Sequence, residues 1–495
     1  MKAKALSFIL RAASPLVCIF FFFIGGAIAQ GRSQTQLTPV PIEIFETSKH
    51  TVDRLARKEN LVFGEIRDQT VPSVFVDSGS QFQTIEGFGG AFTEAAADNF
   101  YKMSPARRDR ILTDYFDPVR GNGYTLCRTH MNSCDFSLGS YAYAEAGDTG
   151  LDRFSVKRDK KALIPMIREA MTRAGAALRL FASPWSPPAW MKTNGEMKHG
   201  GKLKPEFRDA WALYFCRYLD AYRREGVPIW GLTVQNEPEA VQPWESCIYS
   251  AEEERDFVRD FLGPRLQQAG FSQIRLMIWD HNRDRMFERA KIVLDDPRAA
   301  RYVWGVAFHW YVQDCFDNVR KVHEAFPSKK LLFTDGCQEN GPHVGVWEVG
   351  ERYANSMIHD LNNGTVGWVD WNLILDSRGG PNHVGNFCSA PIIVDPSRDR
   401  IEYVNSFYYI GHFSRFIKPG ARRIISASSR DELETTAFLN PDGRIAVVVL
   451  NRSEREISFE LRYAGLGAGM ISPPRSIRTL LFSVRALWSP AKQVF

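Results

Sequence analysis

Eight short apolar runs, each followed by a longer amphipathic stretch, constrain this chain more than any other feature. They cover residues 86–92, 124–131, 177–183, 229–235, 274–279, 303–310, 330–334 and 366–373. A strand-like run roughly every 30 to 55 residues leaves room for a helix between neighbours and predicts parallel strands joined by helical crossovers. Eight such units predict an α/β fold, a (β/α)8 barrel over residues 81–395. An open doubly wound sheet is the alternative, but no Gly-x-Gly-x-x-Gly turn follows the first run. Gly87, Gly89 and Gly90 lie within that run and lead to Thr93-Glu94, so no phosphate cradle is expected there.

Beyond Asp395 the texture changes. Short alternating strands at 422–426, 434–439, 445–451, 457–461 and 476–484 are separated by turn residues such as Asn440-Pro441-Asp442-Gly443. This pattern predicts an accessory all-β sandwich over residues 396–495. The N-terminal segment 30–80 is expected to add a strand near 71–77, so that both chain ends build the sandwich.

Residues 1–29 read as a secretory signal peptide. Lys2, Lys4 and Arg11 form a basic start, 16–24 an apolar stretch, and Ala27-Ile28-Ala29 a cleavage site. A transmembrane anchor is the alternative, but Pro15 and the short apolar length argue against it. The expectation is a secreted or periplasmic protein with no stable membrane anchor. Cleavage would remove three positive charges and no negative ones, bringing the net charge from +5 to +2. That balance gives no electrostatic case for binding nucleic acid. Seven cysteines remain: Cys127, Cys134, Cys216, Cys247, Cys315, Cys337 and Cys388. In an exported protein they leave room for one or two disulfides, and the odd count leaves at least one thiol free. Their spacing matches no zinc pattern, and neither metal nor cofactor is expected.

The polar residues gather where the runs end. Arg128 and His130 close the second run, Ser183-Pro184-Trp185 the third and Asn236-Glu237 the fourth. Asp280-His281-Asn282 ends the fifth, His309-Trp310-Tyr311 the sixth, Thr334-Asp335 the seventh and Asp370-Trp371-Asn372 the eighth. In a barrel these ends share one mouth. Two carboxylates there, Glu237 and Asp335, are what glycosidic cleavage requires. One protonates the leaving oxygen, and the other attacks the anomeric carbon or activates water. Pro238 is expected to hold Glu237 extended, and the Asn236 amide stands ready for a sugar hydroxyl. His309 reads as a structural histidine.

The chain resembles glycoside hydrolase family 30, particularly its glucosylceramidase branch. The matching motifs lie at 87–92, 133–137, 183–195, Asn236-Glu237-Pro238, His309-Trp310-Tyr311, 367–373, Asn386-Phe387, 389–395, 411–417 and 447–453. Together they cover nearly all of the chain after the signal. The resemblance implies a retaining β-glycosidase with Glu237 as acid/base and Asp335 as nucleophile. It places glucose against Asp135, Trp185, Asn236, Trp371 and Asn386, with Arg128 and Tyr311 supporting the nucleophile. The implied substrate is a β-glucoside of the glucosylceramide type, a lipid met only in transient contact. A β-1,6-glucan, an aryl β-glucoside or a β-xyloside is the alternative.

One position departs from the family pattern. Its nucleophile is normally glutamate, whereas this chain reads Phe333-Thr334-Asp335-Gly336-Cys337. The missing methylene withdraws the carboxylate by about 1.5 Å, and a misplacement of about 1 Å can cost on the order of 100-fold in rate. Three readings follow. A backbone shift restores Asp335 as nucleophile, the protein is a slow hydrolase or a sugar-binding remnant, or Glu339 takes over.

Overall fold

The computed structural model describes residues 40–66, 68–175 and 178–483, and the expected signal segment lies outside them. Each of the eight runs supplies a strand of one closed parallel barrel. In order they are Gly87–Phe92, Leu126–Met131, Arg179–Pro184, Gly231–Thr233, Arg275–Asn282, Val303–His309, Lys330–Asp335 and Thr365–Asp370. The eighth pairs with the first through Gly367 and Gly87, which closes the ring. The glycines of the first strand serve this crowding and not a phosphate: a Cβ on Gly89 would lie 1.9 Å from the Leu126 carbonyl oxygen.

Alternation along the strands builds the interior in layers. Leu126, Phe181, Met277, Ala307, Leu332 and Val369 pack together as an apolar plug. Two residues further along the second, third, sixth and eighth strands, the same face presents Arg128, Ser183, His309 and Trp371. A dry floor thus carries a polar layer just below the mouth. Outside the ring, the helix Arg208–Arg224 buries Trp211, Phe215, Leu219 and Tyr222 at three- and four-residue spacing. Each such side chain contributes on the order of 2 kcal/mol.

Two bulges re-aim residues at the mouth. On the fifth strand Ala307 faces Trp279 and Phe308 faces His281, leaving Asp280 as the extra residue. Trp279 and Asp280 both take left-handed φ, at 74° and 54°. On the seventh strand Thr334 is the extra residue, since Phe308 faces Phe333 and His309 faces Asp335.

The sandwich is one hydrogen-bonded sheet of ten strands wrapped around its own core. Ser73–Thr84 is its hinge, antiparallel to Arg422–Ser428 on one side and parallel to Ile457–Tyr463 on the other. Pro41–Ser48 and Ala56–Val62 extend the sheet beside Ser476–Ser483, so both chain ends contribute. The strand Leu466–Ser472 is not anticipated by the sequence pattern. Gly467 and Gly469 weaken its intrinsic β preference, and pairing with Ile457–Tyr463 supplies what propensity lacks.

A small third sheet joins Ile374–Asp376, Ile392–Asp395 and Arg400–Tyr403. The connection between its first two strands brings Asn382, His383, Asn386 and Cys388 to the barrel mouth. The disulfide expectation is corrected: all seven cysteines from Cys127 to Cys388 are free thiols. Six of them are buried within the hydrophobic core. Among the described residues no helix is long and apolar enough to cross a membrane.

Candidate active site

A cavity of about 320 Å³ opens at the C-terminal end of the barrel strands. Asp135, Trp185, Asn236, Glu237, Tyr311, Asp335, Trp371 and Asn386 all line it, and Arg128 lies buried beneath. Sequence positions spread over some 250 residues therefore meet in a space that suits a small ligand.

Asp335 sits at the end of the seventh strand, with a donor on each oxygen. Arg128 Nη1 donates to Oδ2 at 2.6 Å and the Tyr311 hydroxyl to Oδ1 at 2.6 Å. Burial pushes the carboxyl up, while His309, Arg128 and Tyr311 pull it down; the net direction is upward. Burial likewise keeps the Tyr311 hydroxyl protonated, and so a donor. The shorter aspartate side chain is thus fully engaged by its supporting residues. Glu339, the alternative carboxylate, lies at the rim and accepts from Arg352 at 3.0 Å.

Glu237 follows the fourth strand in a tight turn. The expectation that Pro238 holds it extended is wrong, because its φ is 48°, in the left-handed region. Its N–H donates to the Asp280 carbonyl at 2.9 Å and its own carbonyl accepts from Ala240 N–H at 2.9 Å. These bonds enforce the turn against a conformational cost of about 1–3 kcal/mol. Its carboxylate Oε1 stands 3.5 Å from His309 Nδ1 and 3.9 Å from His281 Nδ1. Burial would raise the Glu237 carboxyl, yet the two histidines outweigh it and hold it below the usual range.

Asp280 joins the two sides and is the residue that strand-end counting undervalues. Its carboxylate accepts from Arg128 at 2.7 Å, Thr233 at 2.6 Å, Thr334 at 2.6 Å and His309 Nε2 at 3.0 Å. Burial opposes its charge, but Arg128 and His309 hold it well below the carboxylate range. Burial also works against a charge on His309; Asp335, Asp280 and Glu237 overcome it and raise His309 to about 9. His309 therefore carries a proton between Asp280 and Glu237, a larger part than a structural histidine. The Asp280-His281 dipeptide was the available signal, but only the bulge reveals that Asp280 turns inward.

The remaining residues form a polar and aromatic wall. Trp185 and Trp371 stack with ring centroids 4.9 Å apart, and the Arg128 guanidinium lies 4.7 Å from the Trp185 ring. Arg128 Nη2 donates to Asn236 Oδ1 at 2.8 Å, which leaves the Asn236 NH2 as the free donor. Asp135 Oδ2 accepts from Asn386 at 3.0 Å and from Asn382 at 3.2 Å. Burial pushes the Asp135 carboxyl up to about 7, against the pull of those amides. Gln242, Trp244, Cys337 and Cys388 also line the cavity. They stand on loops or in small-residue surroundings that carry no periodic signal.

The family models decide what this arrangement belongs to. The glycosyl hydrolase family 30 TIM-barrel domain matches residues 85–417, and the family 30 beta sandwich domain matches residues 420–480. The chain belongs to glycosyl hydrolase family 30. It is a glycoside hydrolase. The lysosomal acid glucosylceramidase of Mus musculus is 37% identical over 470 residues, covering 90% of this chain and 91% of that protein. An endo-1,6-beta-D-glucanase of Neurospora crassa is 28% identical, covering 79% and 83%. Among solved structures, SrfJ from Salmonella typhimurium superposes with a TM-score of 0.86 at 39% identity, covering 90% of this chain and 99% of that one. The family 30 barrel thus provides the frame in which the two carboxylates face one cavity.

Proposed function

We propose that this family 30 chain is a retaining β-glucosidase acting on glucosylceramide-type lipids. Asp335 attacks the anomeric carbon to form a glycosyl–enzyme ester while Glu237 protonates the departing oxygen. Glu237 then takes a proton from water, which releases the sugar from Asp335 with its starting configuration. The observation that carries this reading is the contrast around the two carboxylates. Asp335 has a fixed donor on each oxygen, whereas Glu237 opens onto the same cavity without such a clamp, its Oε1 3.5 Å and 3.9 Å from two histidine nitrogens. Sugar hydroxyls are bound by Asp135, Asn236 and Asn386, and Trp185 with Trp371 walls the ring. Resemblance to the mouse glucosylceramidase supports the lipid aglycone. The segment 1–29 acts as an export signal, placing the enzyme outside the cytoplasm.

The test has two parts. Purified enzyme is assayed on glucosylceramide, a β-1,6-glucan, an aryl β-glucoside and an aryl β-xyloside. The lipid is expected to give the highest kcat/KM, and a wide margin for the glucan or the xyloside would overturn the lipid assignment. A 2-deoxy-2-fluoro glucoside then traps the intermediate for peptide mapping. The label is expected on Asp335, and a label on Glu339 would sink the assigned nucleophile.

A further inference from the structure

From the arrangement beside Glu237 we infer a transition-metal site in which Glu237 Oε1, His281 Nδ1 and His309 Nδ1 take Zn2+ or Cu2+ and reversibly block the enzyme. The ligand atoms of these residues all lie within 4.8 Å of one another. Among the described residues neither histidine Nδ1 meets a partner in hydrogen-bond geometry, although the His309 side chain is completely buried and that of His281 is 14% exposed; ligation by His309 releases its Nδ1 proton to solvent and keeps the Nε2 proton on Asp280. Buried imidazole nitrogens without partners are rare, and these two converge on one carboxylate oxygen.

The surroundings of His309 strengthen the case. Its Nε2 is bonded to Asp280, which Arg128, Thr233 and Thr334 hold in turn. A carboxylate on the far nitrogen is how proteins orient an imidazole toward a metal. A zinc ion with ligands at about 2.0–2.1 Å sets them about 3.3 Å apart in a tetrahedron. The contacts to Glu237, 3.5 Å and 3.9 Å, lie near that spacing, and the three ligand atoms, all within 4.8 Å of one another, draw inward to reach it. Glu237 and His281 both line the cavity, so an ion has an entry path and an open fourth position. Two imidazoles and one carboxylate favour Cu2+ and Zn2+ over Mg2+ or Ca2+. The ion takes the oxygen that must carry the catalytic proton, which makes it an inhibitor and not a cofactor.

The inhibitory effect rests on the reading of Glu237 as acid/base, whereas ion binding does not. Full-length enzyme, stripped with a chelator, is titrated with ZnCl2 in a calorimeter, and aryl β-glucoside hydrolysis is followed in parallel. One Zn2+ per chain is expected, with inhibition that EDTA reverses. His281→Ala is expected to weaken Zn2+ affinity by at least about tenfold and to relax inhibition by the same factor. His281→Asn replaces it should the alanine variant fail to fold. Glu237→Gln provides a second calorimetric test independent of activity. Absence of Zn2+ binding or wild-type affinity in both variants would overturn the site, and binding without inhibition would overturn its inhibitory role. Binding by a chain that cleaves no β-glycoside would instead sink the proposed function and leave the metal site standing.

Discussion

Asp335 and Glu237 face the same cavity but are held in different ways. Asp335 receives Arg128 and Tyr311 at 2.6 Å each, one per oxygen. Glu237 has only two histidine nitrogens, at 3.5 Å and 3.9 Å, in a left-handed turn. The first carboxylate is clamped, as the proposed nucleophile needs to be if it is to meet a reacting atom at fixed distance. The second is left loosely held, and the neighbouring histidines lower its carboxyl.

The sharpest way to break this contrast is to remove each carboxyl oxygen's charge. Asp335→Asn is expected to lower kcat by about 10⁴-fold or more on every substrate. Glu237→Gln should cost about 10²–10⁴-fold on glycosides with poor leaving groups and much less on activated aryl glycosides. Steady-state rates on two aglycones of different acidity provide the check, and equal losses from Glu237→Gln on both would remove it as the acid.

A smaller effect is expected from Asp335→Glu. Both oxygens of the aspartate already meet their donors, so an added methylene drives the carboxylate into them, and turnover should fall by about 100-fold. A large gain would mean that the aspartate sits too far back and that the clamp is not productive.

The mildest change concerns the side of Glu237. His309 lowers both carboxyls, so His309→Asn should raise both. Under the proposed roles, the acidic limb of kcat/KM needs ionised Asp335 and the alkaline limb needs protonated Glu237. The whole pH profile is therefore expected to move to higher pH, with the smallest loss of peak rate in the series. A profile that stays in place would show that His309 does not govern the pair.

Much of this was readable from the chain. The repeat of apolar runs predicted the barrel, and alternation carried Arg128 and Trp371 to the inner face. What the sequence could not display depends on irregularity. The bulge that turns Asp280 inward breaks the two-residue period on which inward and outward assignments rest. Glu237 obeys its tertiary hydrogen bonds and not the extended bias that Pro238 imposes. Asn382 reaches Asp135 across 247 positions through a small sheet that has no pattern of its own. The glycine-containing strand Leu466–Ser472 forms only because its neighbours are already in place.

The interleaving of the two termini in the sandwich has a consequence for the order of events during synthesis. Pro41–Ser48 leaves the ribosome long before Ser476–Ser483, the neighbour it pairs with along its length. Until the last strand appears, the early one presents an open edge with buried-type residues such as Ile42 and Ile44. The barrel strands between them need no such wait, because each pairs with neighbours in chain order and only the eighth must return to the first. The topology thus makes Ser476–Ser483, paired with both Pro41–Ser48 and Arg444–Asn451, the strand whose arrival closes the sandwich, and such long-range pairing is expected to form late.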